Sequence, residues 1–87
     1  MEIMEKYNKF RIEWDCRRGM LELDKVIMPF FQVHFDALPD EKKDVFLRLL
    51  ACSDLQLFSW FFNRKPASDL ELREMVTYIQ EKLNLQN

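Results

Sequence analysis

A single glycine, Gly19, is the strongest constraint on how this chain folds. It is the only glycine among 87 residues, and the segments on both sides of it have the composition of helices. Glycine reaches positive φ without a steric cost. We therefore predict a first helix over residues 7–18 that ends with Gly19 as a left-handed cap residue. A second helix, over about residues 20–36, then begins almost at once, so that the two helices meet at a tight corner.

Charged residues are concentrated at this corner. Arg17 and Arg18 precede Gly19, and Glu22 and Asp24 follow it. Cations at the end of one helix and carboxylates at the start of the next suit the two helix dipoles. Asp24 projects onto the apolar side of the second helix, where a carboxylate needs a partner. We expect that partner to be Arg17 or the indole N–H of Trp14.

Apolar residues recur at helical spacing in the rest of the chain, and no stretch alternates with the period of two that is typical of strands. Leu38-Pro39-Asp40 breaks the chain and opens a third helix that extends to about Cys52. A short fourth helix ends near Asn63, and a fifth follows the loop at Pro66. The sequence thus predicts an all-α fold, a single-domain bundle of about five short helices over residues 1–87.

Two capping boxes and one ion pair are predicted within these helices. The capping boxes are Ser53-x-x-Gln56 at the start of the fourth helix and Ser68-x-x-Glu71 at the start of the fifth. On the third helix, Asp44 and Arg48 are four residues apart and are predicted to pair. The fourth helix is apolar almost all round. It is either the most buried element or has one face committed to a partner.

The orientation of the first helix is open, because two apolar stripes compete. One stripe contains Ile3, Tyr7, Phe10 and Trp14, and the other contains Ile12 and Cys16. If Trp14 faces outwards, Arg11 and Arg18 lie beside it in an exposed basic and aromatic strip. If Trp14 faces the core, both arginines are simply solvated.

The composition points away from catalysis and towards binding. The chain has a net charge of −2, which disfavours a general nucleic-acid binder. One histidine, His34, and two distant cysteines, Cys16 and Cys52, do not make a zinc site. Glu22 and Asp24 point about 200° apart on a helix and cannot act as a carboxylate pair. We therefore expect no catalytic residues, no metal site and no enzymatic activity.

The expected location is the cytoplasm. Cys16 and Cys52 have no C-x-x-C spacing and are typical of reduced, mostly buried thiols. The longest apolar runs are far shorter than the ~20 residues that span a bilayer, so we expect no membrane insertion. Residues 1–6 have neither signal-peptide nor transit-peptide character.

The run Trp14-Asp15-Cys16-Arg17-Arg18-Gly19-Met20-Leu21-Glu22-Leu23-Asp24 resembles the signature of the succinate dehydrogenase flavinylation (assembly) factors, whose hallmark is Arg-Gly-x-x-Glu. The resemblance covers most of the chain in the same order and spacing. It continues through Met28-Pro29-Phe30-Phe31, through Phe46 to Leu50, through Leu57-Phe58-x-Trp60 and to Lys65-Pro66. Because residues 1–6 lack targeting character, we expect a bacterial member.

The resemblance implies a five-helix chaperone that binds the flavoprotein subunit of succinate dehydrogenase, and of fumarate reductase, and promotes covalent attachment of FAD to it. FAD is then the cofactor of the partner, with none tightly bound here, and whether this chain touches FAD directly stays open. We expect a monomer whose partner-binding residues are Arg18, Gly19, Glu22, Arg17, Arg11 and Asp24.

Two alternative functions come from other classes. Family members have also been described as the antitoxin of a toxin–antitoxin pair, which would make this chain a protein-interaction module of another kind. Two helices at a glycine-containing turn also suggest a helix-turn-helix DNA binder. The second helix of that motif places basic and amide side chains in the groove. Here it carries Glu22 and Asp24 and then Phe30 and Phe31, which disfavours DNA binding.

Overall fold

Five α-helices and one short 3-10 turn form the fold of residues 7–85. The structure, a computed structural model, describes residues 7–85. The helices are α1 (Lys9–Asp15), α2 (Leu21–His34), α3 (Asp40–Leu50), α4 (Asp54–Phe62) and α5 (Leu70–Lys82), and the 3-10 turn Phe35–Ala37 follows α2. No strand occurs within residues 7–85. The predicted all-α class with five short helices is confirmed.

Side-chain caps fix where α4 and α5 begin. The predicted capping box of α4 is present: the Ser53 hydroxyl accepts from the backbone of Gln56, and the Gln56 side chain accepts from the backbone of Ser53. The predicted cap of α5 is wrong by one residue. Asp69, not Ser68, is the N-cap, and its carboxylate accepts from the N–H of Leu72. A carboxylate is as good an N-cap as a hydroxyl and also favours the positive end of the dipole.

Helix α2 is the centre of the core. It buries five apolar side chains and packs against α4, α5 and the 3-10 turn. The ring of Phe30 lies 5.5 Å from that of Phe46 on α3, and the ring of Phe35 lies 5.6 Å from it. Each such side chain contributes roughly 1.5–3 kcal/mol by leaving water. Pro29 lies within α2, and the helix continues past it to His34.

Helix α1 packs on the core through Ile12 and Cys16, which are buried, whereas Phe10 and Trp14 are 90% and 70% exposed. The second apolar stripe therefore faces inwards, and Trp14 faces outwards. Ile3, which the first stripe included, lies outside the described residues. The Tyr7 hydroxyl, just before α1, donates to the Asp44 carboxylate at 2.7 Å.

Arg48 connects α3 to α5. Its guanidinium donates to the carboxylates of Asp69 and Glu71, and the bond to Glu71, followed by the charge of Asp69, raises the pKa of Arg48. The predicted pair of Arg48 with Asp44 is wrong. Two carboxylates at the start of α5 bind Arg48 instead, and Asp44 accepts from Tyr7.

Helix α4 is less buried than its composition suggests. Leu57 and Phe61 face the core, but Leu55 is 74% exposed. Within residues 7–85 no single helix is long and apolar enough to cross a membrane. Helices α3 and α4 reach that length and composition only when joined, and a bend of 114° separates them.

Candidate functional site

The corner between α1 and α2 forms without a left-handed glycine. Helix α1 ends at Asp15, three residues earlier than predicted, and Cys16 caps it in the right-handed conformation. The N–H of Arg17 then donates to the carbonyl of Trp14 at 3.1 Å, which closes a tighter last turn. Gly19 does not adopt positive φ. The prediction of a left-handed cap is therefore wrong, and neither arginine lies in the last turn of α1.

Arg18 occupies the inner side of the corner, and its side chain is only 13% exposed. Its Nε donates to Oδ1 of Asp54, the first residue of α4, at 2.8 Å. Its terminal nitrogens donate to three carbonyl oxygens, those of Asp15 and Leu50 at 2.9 Å and that of Cys52 at 2.8 Å. These carbonyls lie at or just beyond the C-terminal ends of α1 and α3, where the backbone lacks partners and the dipole favours a cation. One guanidinium thus joins the ends of three helices.

Two carboxylates hold the backbone of the same turn. The N–H of Arg18 donates to Oδ1 of Asp24 at 2.7 Å, and the N–H of Gly19 donates to Oδ2 of Asp54 at 3.2 Å. The hydrogen bond from Arg18, supported by that from Gly19, holds the pKa of Asp54 below its ordinary value. Asp24 has the partner that a half-buried carboxylate needs. That partner is a backbone N–H, so the expected bond to Arg17 or to the Trp14 indole is wrong.

The outer side of the corner is exposed, and two of its three charged side chains have no internal partner within residues 7–85. We use the name outer face for a set of exposed residues from α1, the corner and the first turn of α2, which are Arg11, Trp14, Arg17, Leu21 and Glu22. Within residues 7–85, Arg17 and Glu22 make no side-chain hydrogen bond or ion pair. Arg11 makes one long contact, 3.9 Å, to Asp15. Trp14 and Leu21 are 70% and 65% exposed.

The structure thus divides the predicted site residues into two groups. Arg18, Gly19 and Asp24 come together in the inner network, and Arg11, Arg17 and Glu22 lie on the outer face. Asp54, which completes the inner network, was missed from the sequence. Its only signal was a carboxylate in the first turn of α4, next to the Ser53 cap.

Within residues 7–85 no group of three or more His, Cys, Asp and Glu side chains is placed to hold a metal ion. Cys16 is fully buried beside the corner, and burial raises its pKa to about 12. Its thiol is therefore not a nucleophile at neutral pH. Cys52 is half-buried, and burial raises its pKa as well.

Comparison with known proteins identifies the relatives of this chain. The family model described as flavinator of succinate dehydrogenase matches residues 10–83, which include both sides of the corner. The chain belongs to this flavinator family. The resemblance expected from Arg18-Gly19-Met20-Leu21-Glu22 is therefore confirmed.

Bacterial relatives cover nearly the whole chain. A protein of Pasteurella multocida (strain Pm70) named FAD assembly factor SdhE is 72% identical over 82 residues, which are 94% of this chain and 98% of that protein. A protein of the same name from Haemophilus influenzae (strain 86-028NP) is 74% identical over 77 residues, or 88% of this chain and 91% of that protein. The fold is also similar to a solution structure of a UPF0350 protein. That protein is 46% identical, has a TM-score of 0.68, and the match covers 88% of this chain and 86% of the other.

Proposed function

We propose that this chain is an assembly factor that binds the flavoprotein subunit of succinate dehydrogenase, and of fumarate reductase, and promotes covalent attachment of FAD to it. In this proposal Arg11, Arg17 and Glu22 of the outer face contact the partner. Arg18 and Asp24 hold the corner in the shape that presents them. The chemistry of attachment takes place in the flavoprotein, and this chain contributes binding.

The observation that carries the proposal is the surroundings of Gly19. A Cβ at this position would lie 3.6 Å from Oδ2 of Asp54, an ordinary van der Waals distance, and the residue is exposed. Neither positive φ nor close internal packing requires a glycine here. A residue without a side chain is, however, what the close approach of another molecule requires. This supports a partner that docks at the corner.

The side chains around Gly19 support the same surface. Trp and Arg are enriched among the residues that carry most of the energy of an interface, and Trp14, Arg11 and Arg17 are all exposed. Charges without internal partners are free to pair across an interface, where they steer association and fix the orientation of the partner. Arg17 and Glu22 meet that condition within residues 7–85.

The test replaces charges of the outer face that the fold does not use. Arg17→Ala and Glu22→Ala are produced in bacterial cells that lack their own factor, and covalent FAD on the flavoprotein subunit is measured by in-gel flavin fluorescence. Because surface substitutions away from structural contacts change stability by about 0.5 kcal/mol or less, both variants are expected to melt like wild type. Flavinylation is expected to fall by about tenfold or more for a third variant that carries both substitutions, since losing about 1.4 kcal/mol of binding is a tenfold change.

Lys25→Ala is the matched control. Lys25 is exposed on α2, three residues after Glu22, and makes no side-chain hydrogen bond or ion pair within residues 7–85. It should support flavinylation at the wild-type level. If the Arg17 and Glu22 variants also do so, the corner does not face the flavoprotein.

A further inference from the structure

A second group of cations lies at the far end of α4 from the corner. Arg64, Lys65 and Arg73 line a cleft of about 320 Å³ between the α4–α5 loop and the middle of α5. No carboxylate lines this cleft, and these three side chains have no ion-pair partner within residues 7–85. Lys9 and Arg18 each face a carboxylate, whereas Arg17 and Lys25 are also unpaired within residues 7–85 but do not line a shared cleft with other cations. In a chain of net charge −2, three unpaired cations around one cleft need an explanation.

The backbone holds Arg64 in a conformation that disfavours arginine. Arg64 has φ 59, and Asn84 is the other non-glycine residue with positive φ within residues 7–85. Asparagine is among the residues that tolerate this region, whereas a long side chain is uncommon there. The N–H groups of Asn63 and Lys65 both donate to the carbonyl of Ser59, at 3.1 and 3.3 Å, and fix the turn. An arginine kept in a strained turn suggests a functional role.

Two further polar side chains of the cleft are fixed in place. Nε of Arg73 donates to the carbonyl of Ala67 at 3.0 Å, which leaves the two terminal nitrogens available to an acceptor from outside. The amide nitrogen of Gln80 donates to the carbonyl of Phe61 at 3.1 Å. Less conformational entropy is lost when a ligand binds groups that are already positioned.

The rest of the lining is mostly apolar, with Thr77 as its one polar side chain. Ala67 and Val76 are buried, and Trp60 is half-buried. Such a lining suits a side chain or methylene group next to an anionic one. It also limits the occupant to a short segment.

Charges next to the cleft favour a short acidic peptide over a nucleic acid. Glu81 lies next to Gln80 in a depression that shares Thr77 and Gln80 with the cleft. It is exposed. A phosphate backbone that extends past the three cations in this direction would meet its carboxylate, and the affinity of such a backbone depends on many phosphate contacts. One or two peptide carboxylates would meet only the cations.

We propose that this basic cleft, formed by Trp60, Arg64, Lys65 and Arg73, binds a short acidic segment of a protein partner. Carboxylates of the segment pair with the two arginines and Lys65, where the planar guanidinium groups favour bidentate contacts. The site goes beyond the proposed flavinylation function. Asp54 of the inner network begins α4, whereas the basic cleft lies at the end of α4, so either site can fail without the other.

The experiment titrates the isotope-labelled full chain with defined probes, monitored by NMR at about 150 mM salt. The probes are a short peptide with two adjacent glutamates and a leucine, the same peptide with glutamines in place of the glutamates, inorganic phosphate, and a short DNA duplex. The acidic peptide is expected to shift the amide signals of Arg64, Lys65 and Arg73 and the indole signal of Trp60, with saturation. The glutamine peptide should bind at least about tenfold more weakly, because it lacks the charge-assisted hydrogen bonds.

The matched variant is Arg64→Asn with Lys65→Gln. Asparagine tolerates positive φ, so the turn is kept while two charges are removed. This variant should lose about tenfold or more in affinity for the acidic peptide and keep the chemical shifts of the core. Lys42→Gln, which removes an exposed cation from the cleft between α3 and α5, should bind as wild type does.

Four results would overturn the proposal. They are equal binding of the two peptides, unchanged affinity in the double variant, phosphate shifts that match those of the peptide at similar concentration, and a short DNA duplex that binds the cleft more tightly than the acidic peptide. The third result would mean that the cleft takes up small anions without selecting a peptide. Loss of peptide binding with normal flavinylation would separate this site from the corner.

Discussion

Arg17 and Arg18 are neighbours in the chain, but they differ in exposure and in hydrogen bonding. Arg18 is 13% exposed and donates four side-chain hydrogen bonds, three of them to carbonyl oxygens near helix ends. Arg17 is exposed and makes none within residues 7–85. The same side-chain chemistry therefore joins helices on one side of the corner and is free to meet another molecule on the other.

This contrast explains why a short motif carries both the fold and the proposed function. In Arg18-Gly19-Met20-Leu21-Glu22, the arginine faces inwards and the glutamate faces outwards, with an open glycine between them. A substitution at the first position should act through stability, whereas one at the last should act through binding. Variants of Arg18, Asp54 and Gly19 test how sharp that division is.

The largest effect is expected for Arg18→Ala. It leaves the Asp54 carboxylate without its charged partner and three carbonyl oxygens near helix ends without a donor. Breaking a mostly buried ion pair of this kind costs about 3 kcal/mol or more of the free energy of unfolding. Urea denaturation followed by circular dichroism measures it, with Arg17→Ala as the control that should stay within about 0.5 kcal/mol of wild type.

Arg18→Lys sharpens the same comparison. Lysine keeps the charge but lacks the planar fork of donors that serves four acceptors at once, so its stability should lie between those of wild type and Arg18→Ala. Equal stabilities for the Arg17 and Arg18 alanine variants would contradict the division of the corner into inner and outer sides.

A smaller effect, dependent on pH, is expected for Asp54→Asn. The folded state lowers the pKa of Asp54, so its contribution to stability is fully present above the unfolded value of 3.8 and is lost as the pH falls through the lower folded value. At pH about 7 the variant should be less stable than wild type by roughly 1 kcal/mol. That difference should shrink on acidification to below 3.8. A gap that does not change with pH would show that Asp54 acts through shape and not through charge.

The smallest effect on stability is expected for Gly19→Ala. Because the backbone at Gly19 is compatible with other residues and a Cβ finds room, the substitution should leave stability unchanged or raise it by about 0.4–1 kcal/mol, through a more restricted unfolded chain. Thermal melting measures this. A clear loss of stability would mean that the glycine serves the inner side of the corner after all.

Local patterns in the sequence predicted most of the fold. The start of α4 followed from Ser53 and Gln56, and the break between α2 and α3 followed from Leu38-Pro39-Asp40. These signals depend on residues at most four positions apart, so the chain needs no tertiary contact to express them. Local signals could not predict the orientation of α1, because its two apolar stripes were of similar strength. Only the packing of Ile12 and Cys16 in the core shows which stripe faces inwards.

Contacts between distant residues could not be predicted in this way. Arg18 and Asp54 are 36 positions apart, and Arg48 binds carboxylates 21 and 23 positions away. No periodicity links such pairs, so a nearby residue such as Asp44 looked like the better partner of Arg48. The prediction of a left-handed Gly19 was wrong for a related reason. A lone glycine in a sequence suggests a backbone conformation that glycine adopts most readily, but in the structure Gly19 has an ordinary conformation and leaves open space on the surface.

The rate at which a reagent labels the fully buried thiol of Cys16 measures how often α1 detaches from the core. Because burial raises its pKa to about 12, a thiol reagent reacts with it only in the moments when α1 has left the core and the group titrates normally. Burial raises the pKa of Cys52 too, but this thiol is only half-buried, so that a reagent reaches it without any opening of α1. Cys16 should therefore be labelled slowly and Cys52 quickly in the same molecule. The ratio of the two labelling rates reports how often the corner opens, and the chain needs no added probe.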